Sequence, residues 1–329
     1  MAEVRRRGES APPEVIARFQ NYAVNEPTST RPARIALGLT LLREVHSPVF
    51  LRWVNLLRSH WWPGPVYHAR DMYVTQARNL ILRDFLRERD YSDALLYWDV
   101  DQQPPLAVPG PLSWQASTGE VWQGGWFTDY LQWVVGNEPH KKVLGGLYFS
   151  KQHDWELTED GRIVAGPHEP VAYYSPRDSG GYRPLTTDEL IPMLQRPAIY
   201  KVDAVGTGSM LIRKDVIERM AELKGGDIFE APPVRNLNDQ IPGSQWTEDT
   251  FFCEEVTKRL GEWIWLDTAM RSGHFADQLV TDQDYLQKRG YVTQPHEQAT
   301  RAMIEQARID AAEAKRERKA QSRIVLPRS

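Results

Sequence analysis

Cysteine is almost absent from this chain, with Cys253 the single example among 329 residues. One cysteine rules out an internal disulfide and favours a reducing, cytoplasmic setting. Long hydrophobic runs are also missing. No apolar stretch approaches the roughly 18 residues of a transmembrane helix, so we expect no membrane span. Residues 1–14 carry basic side chains without an apolar stretch behind them, and therefore do not resemble a secretory signal.

The chain also lacks a large excess of either charge, because it has 40 Lys and Arg and 44 Asp and Glu residues. A protein that relies on long contacts with a phosphate backbone usually carries a basic face, and the overall composition demands none. Tryptophan, by contrast, is abundant, with twelve copies. Aromatic rings suit sugar faces and nucleobases but also fill hydrophobic cores, so both interpretations of these rings stay open.

The order of apolar segments predicts an α/β fold. Strand Ala33–Thr40 precedes a helical pattern at residues 73–88, which is followed by a short buried strand at residues 94–98. Strand, helix and strand in this order are typical of a sheet flanked by helices. Ligands bind beyond the carboxyl ends of the strands in such sheets, and Asp99 and Asp101 stand at that position.

Composition divides the chain into three parts. Residues 1–33 are predicted to form a polar arm, residues 34–290 hold the predicted folded domain, and residues 291–329 form a charged helical tail. The thin apolar stripe of the tail either packs lightly or binds another subunit. Further predicted elements are strands at residues 143–149, 199–213 and 262–267, helices at residues 47–59, 128–135, 214–223 and 247–260, and a hairpin turn at residues 160–161.

The most informative cluster is the pair Asp99 and Asp101. Two carboxylates separated by one intervening residue point to the same side of an extended chain. Mg²⁺ and Mn²⁺ take oxygen ligands and bridge carboxylates to phosphates, which neutralises charge on a departing diphosphate. A solvated turn is the alternative interpretation of the same two residues.

Three other positions are candidates for chemistry. Glu248 and Asp249 follow Thr247, which would cap the helix they begin, and acids are favourable there on structural grounds alone. The functional alternative is a carboxylate that takes a proton from an attacking hydroxyl. His274 follows a strand and is either a metal ligand or an ordinary hydrogen-bonded residue.

Gly206 and Gly208 interrupt an apolar strand. They indicate the close approach of a ligand or another backbone, or else a bulge. They do not form a dinucleotide-binding fingerprint, because Leu211 stands where the third glycine would be.

Taken in order, these residues resemble bacterial and bacteriophage glycosyltransferases of the GT-A fold, of the family-2 type. Four segments carry the likeness: QARNLILRDFL with DALLYWDVDQQPP, KVLGGLYF with HEPVAYY, KVDAVGTGSMLIRKDVI, and TEDTFFCEEVTKRLGEWIWLDTAMRSGH. The resemblance implies the Rossmann-like mixed sheet of nucleotide-diphospho-sugar transferases. The Trp-rich residues 112–135 have no counterpart in it, and one hypothesis is that they select the donor or the acceptor.

The resemblance also implies roles for individual residues. Asp101 would be the direct metal ligand, completed by His274, while Asp99 would reach the ribose or the water shell of the metal. Asp249 would be the catalytic base, with Glu248 beside it. The implied donor-binding residues are Thr40, Arg78, Asn79, Asp99, Gly206 and Gly208.

The implied cofactor is Mn²⁺ or Mg²⁺, and the implied donor is a UDP- or GDP-sugar. The expected reaction transfers the sugar to an acceptor hydroxyl with inversion, and the acceptor is a modified DNA base, a virion protein or a glycan. Two other functions stay open. One is a non-catalytic module that binds nucleotides or sugars, and the other is a sugar-phosphate nucleotidyltransferase.

Overall fold

The computed structural model describes residues 32–41, 51–54, 56–57, 62–70, 72–112, 114–157, 163–175, 181–230, 247–275 and 279–281. Residues 1–282 form one compact unit, and residues 283–329 form a second unit that lies outside the described residues. The predicted arm lies outside them up to residue 31, as do the charged tail and the hairpin turn at residues 160–161.

Short strands dominate the described chain. The strands are β1 (Ile35–Leu41), β2 (Val66–Arg70), β3 (Ala94–Asp99), β4 (Gln102–Gln103), β5 (Ala107–Val108), β6 (Gly125–Trp126), β7 (Val143–Leu147), β8 (Phe149–Leu157), β9 (Ile163–Pro170), β10 (Ala172–Tyr174), β11 (Arg183–Pro184), β12 (Ile199–Val202), β13 (Ala204–Val205), β14 (Ser209–Arg213), β15 (Ile264–Arg271), β16 (Gly273–Phe275) and β17 (Leu279–Val280).

Residues 51–54 and 56–57, within the predicted helix at residues 47–59, are helical, and five further α-helices have both ends in the described part of the chain. They are α1 (Val74–Arg87), α2 (Phe127–Asn137), α3 (Thr187–Gln195), α4 (Lys214–Lys224) and α5 (Glu248–Glu255). A 3₁₀ turn at Arg89–Tyr91 follows α1, and a π-helical turn at Val256–Leu260 extends α5. No described helix combines the length and apolarity needed to cross a membrane.

A seven-stranded mixed sheet forms the centre of the fold, in the order β12-β15-β7-β14-β3-β1-β2. β3 pairs in parallel with β1, and β7 pairs in parallel with β15, while β14 runs antiparallel between β3 and β7. The carboxyl ends of β1, β3, β7 and β15 therefore meet at one edge of the sheet. The predicted class, an α/β fold with a mixed sheet flanked by helices, is confirmed.

Several elements follow directly from the local sequence. The apolar run of β3 is buried from Ala94 to Trp98, as expected for a central strand covered on both faces. α4 ends where Gly225 adopts a left-handed φ of 75°, which glycine accepts without steric cost. A capping box between Thr247 and Thr250 begins α5.

Aromatic side chains contribute heavily to the core beside α2. Trp98 packs edge-on against Phe127, and Trp122 packs against Tyr130 and Trp133. The indole of Trp122 also donates a hydrogen bond of 3.1 Å to the carbonyl of Val108. The described part of the Trp-rich stretch is therefore a packing element, and a role in substrate selection stays a prediction.

Candidate functional site

Strand pairing at the end of β3 places Asp99 between two other predicted site residues. Thr40 on β1 lies opposite Asp99 in the parallel register, and the backbone N–H of Val100 donates to the Thr40 carbonyl at 3.2 Å. On the other side, the N–H of Asp99 donates to the carbonyl of Gly208 at 2.9 Å. Strand pairing thus brings three predicted residues, Thr40, Asp99 and Gly208, to one edge of the sheet.

A buried arginine lies at the centre of the site. Arg78 projects from α1, and its side chain is only 3% exposed. Its Nη1 lies 2.6 Å from Asp249 Oδ1 and 3.0 Å from Glu248 Oε1, and its Nη2 lies 3.5 Å from Asp99 Oδ2. The hydroxyl of Tyr97 donates to the Arg78 carbonyl at 2.9 Å and anchors this turn of α1 to β3. Carboxylates from β3 and from the start of α5 therefore meet at one guanidinium.

These charges change one another's proton affinity. Burial acts to lower the pKa of Arg78, but Asp249, Asp99 and Glu248 outweigh it and raise this pKa above its ordinary value. Burial raises the pKa of Asp99, and Arg78 offsets part of that rise. Burial also raises the pKa of Glu248, and the neighbouring charge of Asp249 adds to the effect. The arginine is therefore what allows several carboxylates to share a poorly solvated site.

Asp249 is held at one oxygen. Its Oδ1 accepts both the contact from Arg78 and a hydrogen bond of 2.5 Å from the hydroxyl of Thr207. Charge-assisted hydrogen bonds of this length fix the orientation of a carboxylate. Sequence reasoning missed Thr207, although it lies between the two glycines that were singled out.

Asp101 and His274 form a second pair beside this cluster. His274 Nδ1 lies 2.7 Å from the carbonyl of Phe149, so that nitrogen carries the proton and donates. The opposite nitrogen, Nε2, faces Asp101 Oδ1 at 3.6 Å. The ring of Tyr148 packs edge-on against the imidazole, with 5.6 Å between ring centroids. The predicted pairing of Asp101 with His274 is present in the structure.

The two glycines are explained by side chains that press against them. A Cβ atom on Gly206 would lie 2.0 Å from the hydroxyl oxygen of Tyr148, and one on Gly208 would lie 2.0 Å from Gln102 Nε2. The N–H of Gly208 also donates to the Tyr148 hydroxyl at 3.3 Å. The close approach predicted from sequence is therefore made by protein side chains, and donor binding at these glycines stays a prediction.

Asn79 is engaged away from the carboxylates. Its Nδ2 donates to the carbonyl of Phe229 at 2.7 Å, and its Oδ1 accepts from the N–H of Phe229 at 3.0 Å. This pair of bonds fastens the chain after α4 to α1. The predicted contact between Asn79 and the nucleotide-sugar stays a prediction.

Asp99, Asp101 and His274 are the predicted ligands of a divalent cation. No group of three or more His, Cys, Asp or Glu side chains converges as a metal site within the part of the chain described. The residues nevertheless suit a hard cation, because Asp99 Oδ1 is buried without a hydrogen-bond partner there and His274 Nε2 faces Asp101 Oδ1 at 3.6 Å. The predicted trio is thus assembled in part, as the pair Asp101 and His274 with Asp99 held by Arg78.

Comparison with known proteins gives no family assignment. No family model and no curated protein matches the chain. One solved structure, titled "Crystal Structure of A197 from STIV", is 12% identical, with a TM-score of 0.42 over 76% of this chain and 91% of that chain. The 4-diphosphocytidyl-2C-methyl-D-erythritolsynthase from Anaerococcus prevotii DSM 20548 is also 12% identical, with a TM-score of 0.27 over 69% of this chain and 97% of that chain. Likeness at this level carries no argument about function.

Proposed function

We propose that this protein is a metal-dependent glycosyltransferase of the GT-A type, which moves a sugar from a nucleotide-sugar to an acceptor hydroxyl with inversion. The supporting observation is the convergence of Asp99, Glu248 and Asp249 on the buried Arg78 at the carboxyl end of β3. Ionisable groups with shifted pKa values cluster at functional sites, and α/β folds bind ligands at this edge of the sheet.

The donor diphosphate would lie at the end of β3. Asp101 and His274, with Asp99 beside them, would hold Mn²⁺ or Mg²⁺ next to it. The bound cation would supply neutralisation of the negative charge that develops on the departing diphosphate. Thr40 stands opposite Asp99 in the strand register and would border the nucleoside.

The acceptor hydroxyl would approach Asp249. Because Arg78 and Thr207 both contact Oδ1 of this residue, Oδ2 is the oxygen that would take the proton from the hydroxyl. Glu248 shares the guanidinium of Arg78 with Asp249 and would help to hold that arginine beside the base. Arg78 would be a positioning residue, since its contacts are with the carboxylates.

The decisive experiment measures turnover of UDP- and GDP-sugars by the purified protein with Mn²⁺, comparing wild type with Asp101→Asn and Asp249→Asn. We expect Asp249→Asn to lose at least about a hundredfold in rate, the lower end of what general-base catalysis contributes. Asp101→Asn should also lose activity, because it removes a proposed ligand of the cation that offsets charge on the leaving diphosphate. Asp227→Asn is the matched control, because Asp227 is an exposed carboxylate bonded to the exposed Arg83. Wild-type rates in both site variants would contradict the proposal.

The same preparation separates the other functions. Pyrophosphate released from a nucleoside triphosphate and a sugar phosphate would identify a nucleotidyltransferase, and donor binding without turnover would identify a binding module. For an active transferase, intact masses of DNA, virion proteins and glycans before and after incubation identify the acceptor class.

A further inference from the structure

A cavity lies beside the Asp101–His274 pair. Its volume is about 190 Å³, and its lining includes Arg52, Gln103, Phe149, Arg271, Ser272 and Thr281. It opens where β7 and β15 end, so it shares the carboxyl edge of the sheet with Asp99. Residues of its wall adjoin the pair directly, because Gly273 precedes His274 and is paired with Gln103 across β16 and β4.

The charge of Arg52 has no protein counter-ion in the described residues. Its Nε donates to the carbonyl of Pro104 at 3.2 Å, and no described carboxylate forms an ion pair with it. Burial lowers the pKa of Arg52 from its ordinary value, and no carboxylate opposes this effect. A half-buried guanidinium without an opposing charge is costly, so its surroundings favour an anion.

A second guanidinium lines the same cavity. Arg271 is oriented by two backbone carbonyls, with Nε 2.7 Å from that of Thr268 and Nη2 2.9 Å from that of Leu194. Because these two donors are already bonded, Arg271 contributes positive charge to the cavity wall rather than a free donor pair. Ser272 and Gln103 add polar atoms to the same wall.

We propose that this cavity is an oxyanion subsite, in which Arg52 binds a phosphate or carboxylate group and the charge of Arg271 adds to the attraction. Its place beside Asp101 and His274 makes the anion part of a substrate, either donor or acceptor, and this assignment rests on the proposed function. Binding of the anion itself does not depend on sugar transfer.

Calorimetric titration of the full chain with inorganic phosphate, and separately with acetate, tests the subsite at constant ionic strength. We expect one of the two anions to bind wild type, and Arg52→Gln to weaken that binding by about tenfold or more, as for loss of a charged hydrogen-bond partner. Arg52→Lys should bind between the two, because it keeps the charge but loses the fork. Arg83→Gln is the control, since Arg83 is exposed and paired with Asp227.

The titrations distinguish a phosphate site, a carboxylate site and the absence of a site. Tighter binding of phosphate assigns a phosphoryl group, and tighter binding of acetate assigns a carboxylate. Equal affinity in wild type and Arg52→Gln, or no binding of either anion, overturns the subsite. If the anion binds but no nucleotide-sugar is turned over, the subsite stands and the proposed transferase fails. Circular dichroism of each variant establishes that a loss of binding is not a loss of folding.

Discussion

Arg78 is the counter-charge that three carboxylates of this site share. Arg78→Met would leave Asp99, Glu248 and Asp249 close together without a counter-charge. Breaking a buried ion pair from one side costs about 3–5 kcal/mol, and we expect the lower end because the carboxylates keep some contact with water. Urea unfolding of the purified variant measures this loss in free energy of unfolding.

Arg83→Met is the comparison for that variant. Arg83 lies on the same helix and pairs with Asp227, but both side chains are exposed, at 53% and 44%. Water screens the attraction between exposed charges, so this change should be nearly neutral. Equal losses in the two variants would show that burial of Arg78 is energetically irrelevant.

Gly208 and Gly136 give opposite predictions for the same substitution. Gly208→Ala would drive a methyl group into Gln102 Nε2 and the Tyr148 hydroxyl, and overpacking of this kind costs about 1–3 kcal/mol. Gly136 lies inside α2, and beyond the backbone of that helix nothing lies within 4 Å of an added Cβ, so Gly136→Ala should stabilise by about 0.5–1 kcal/mol. Thermal unfolding of both variants provides the check, and a shift of the same sign in each would contradict it.

At the scale of elements, the start of α5 positions two of the site carboxylates. The Thr247 hydroxyl accepts from the N–H of Thr250, and the Thr250 hydroxyl accepts from the N–H of Thr247 at 3.0 Å. Thr247→Ala removes this cap and should lower the free energy of unfolding by about 1 kcal/mol. Thr247→Ser, which keeps the hydroxyl, should lie within a few tenths of wild type. Urea unfolding of the two variants decides whether the hydroxyl or the methyl group matters.

Elements with strong local patterns could be predicted from the sequence. The helical period of residues 73–88 and the apolar run at residues 94–98 predict α1 and β3, and the structure confirms both within about a residue. β2 was missed because VYHAR alternates weakly at the edge of the sheet, where pairing rather than burial defines the strand. α3 was missed because Pro192 lies inside it, and only the Thr186–Glu189 capping box signals its start.

The candidate site could be predicted only in outline. Carboxylates at a strand end and at a helix start can be recognised locally, and so can a histidine after a strand. The distance of 2.6 Å between Arg78 and Asp249 joins residues 171 positions apart, and only tertiary packing produces it. Neither the hydroxyl of Thr207 nor the ring of Tyr148 carried a local signal of its role.

At the scale of the whole molecule, a buried carboxylate couples folding to pH. Asp267 on β15 is fully buried and accepts a hydrogen bond of 2.7 Å from Tyr130 on α2. Burial raises the pKa of Asp267 from 3.8 to about 6, although its hydrogen bonds oppose the rise. The unfolded chain therefore releases this proton at lower pH than the folded chain does. The contribution of Asp267 to stability is complete below pH 3.8 and is lost as the pH rises through about 6.

Asp267→Asn removes this titration. Between pH 4 and pH 8 the free energy of unfolding of the variant should rise relative to wild type by about 3 kcal/mol, the equivalent of the pKa shift. Urea unfolding of both proteins across that range measures the difference. Curves that stay parallel over the whole range would show that Asp267 titrates alike in the folded and unfolded chains.

One guanidinium serving carboxylates from two distant segments has a thermodynamic consequence. Asp99 comes from β3 and Asp249 from α5, yet both depend on Arg78 for their charge balance. Protonation or ligation of either one changes how strongly the arginine favours the charge of the other, and the effect is reciprocal. The pKa values and ligand affinities of Asp99 and Asp249 are therefore coupled through their shared counter-ion. This coupling requires no movement of the backbone between them.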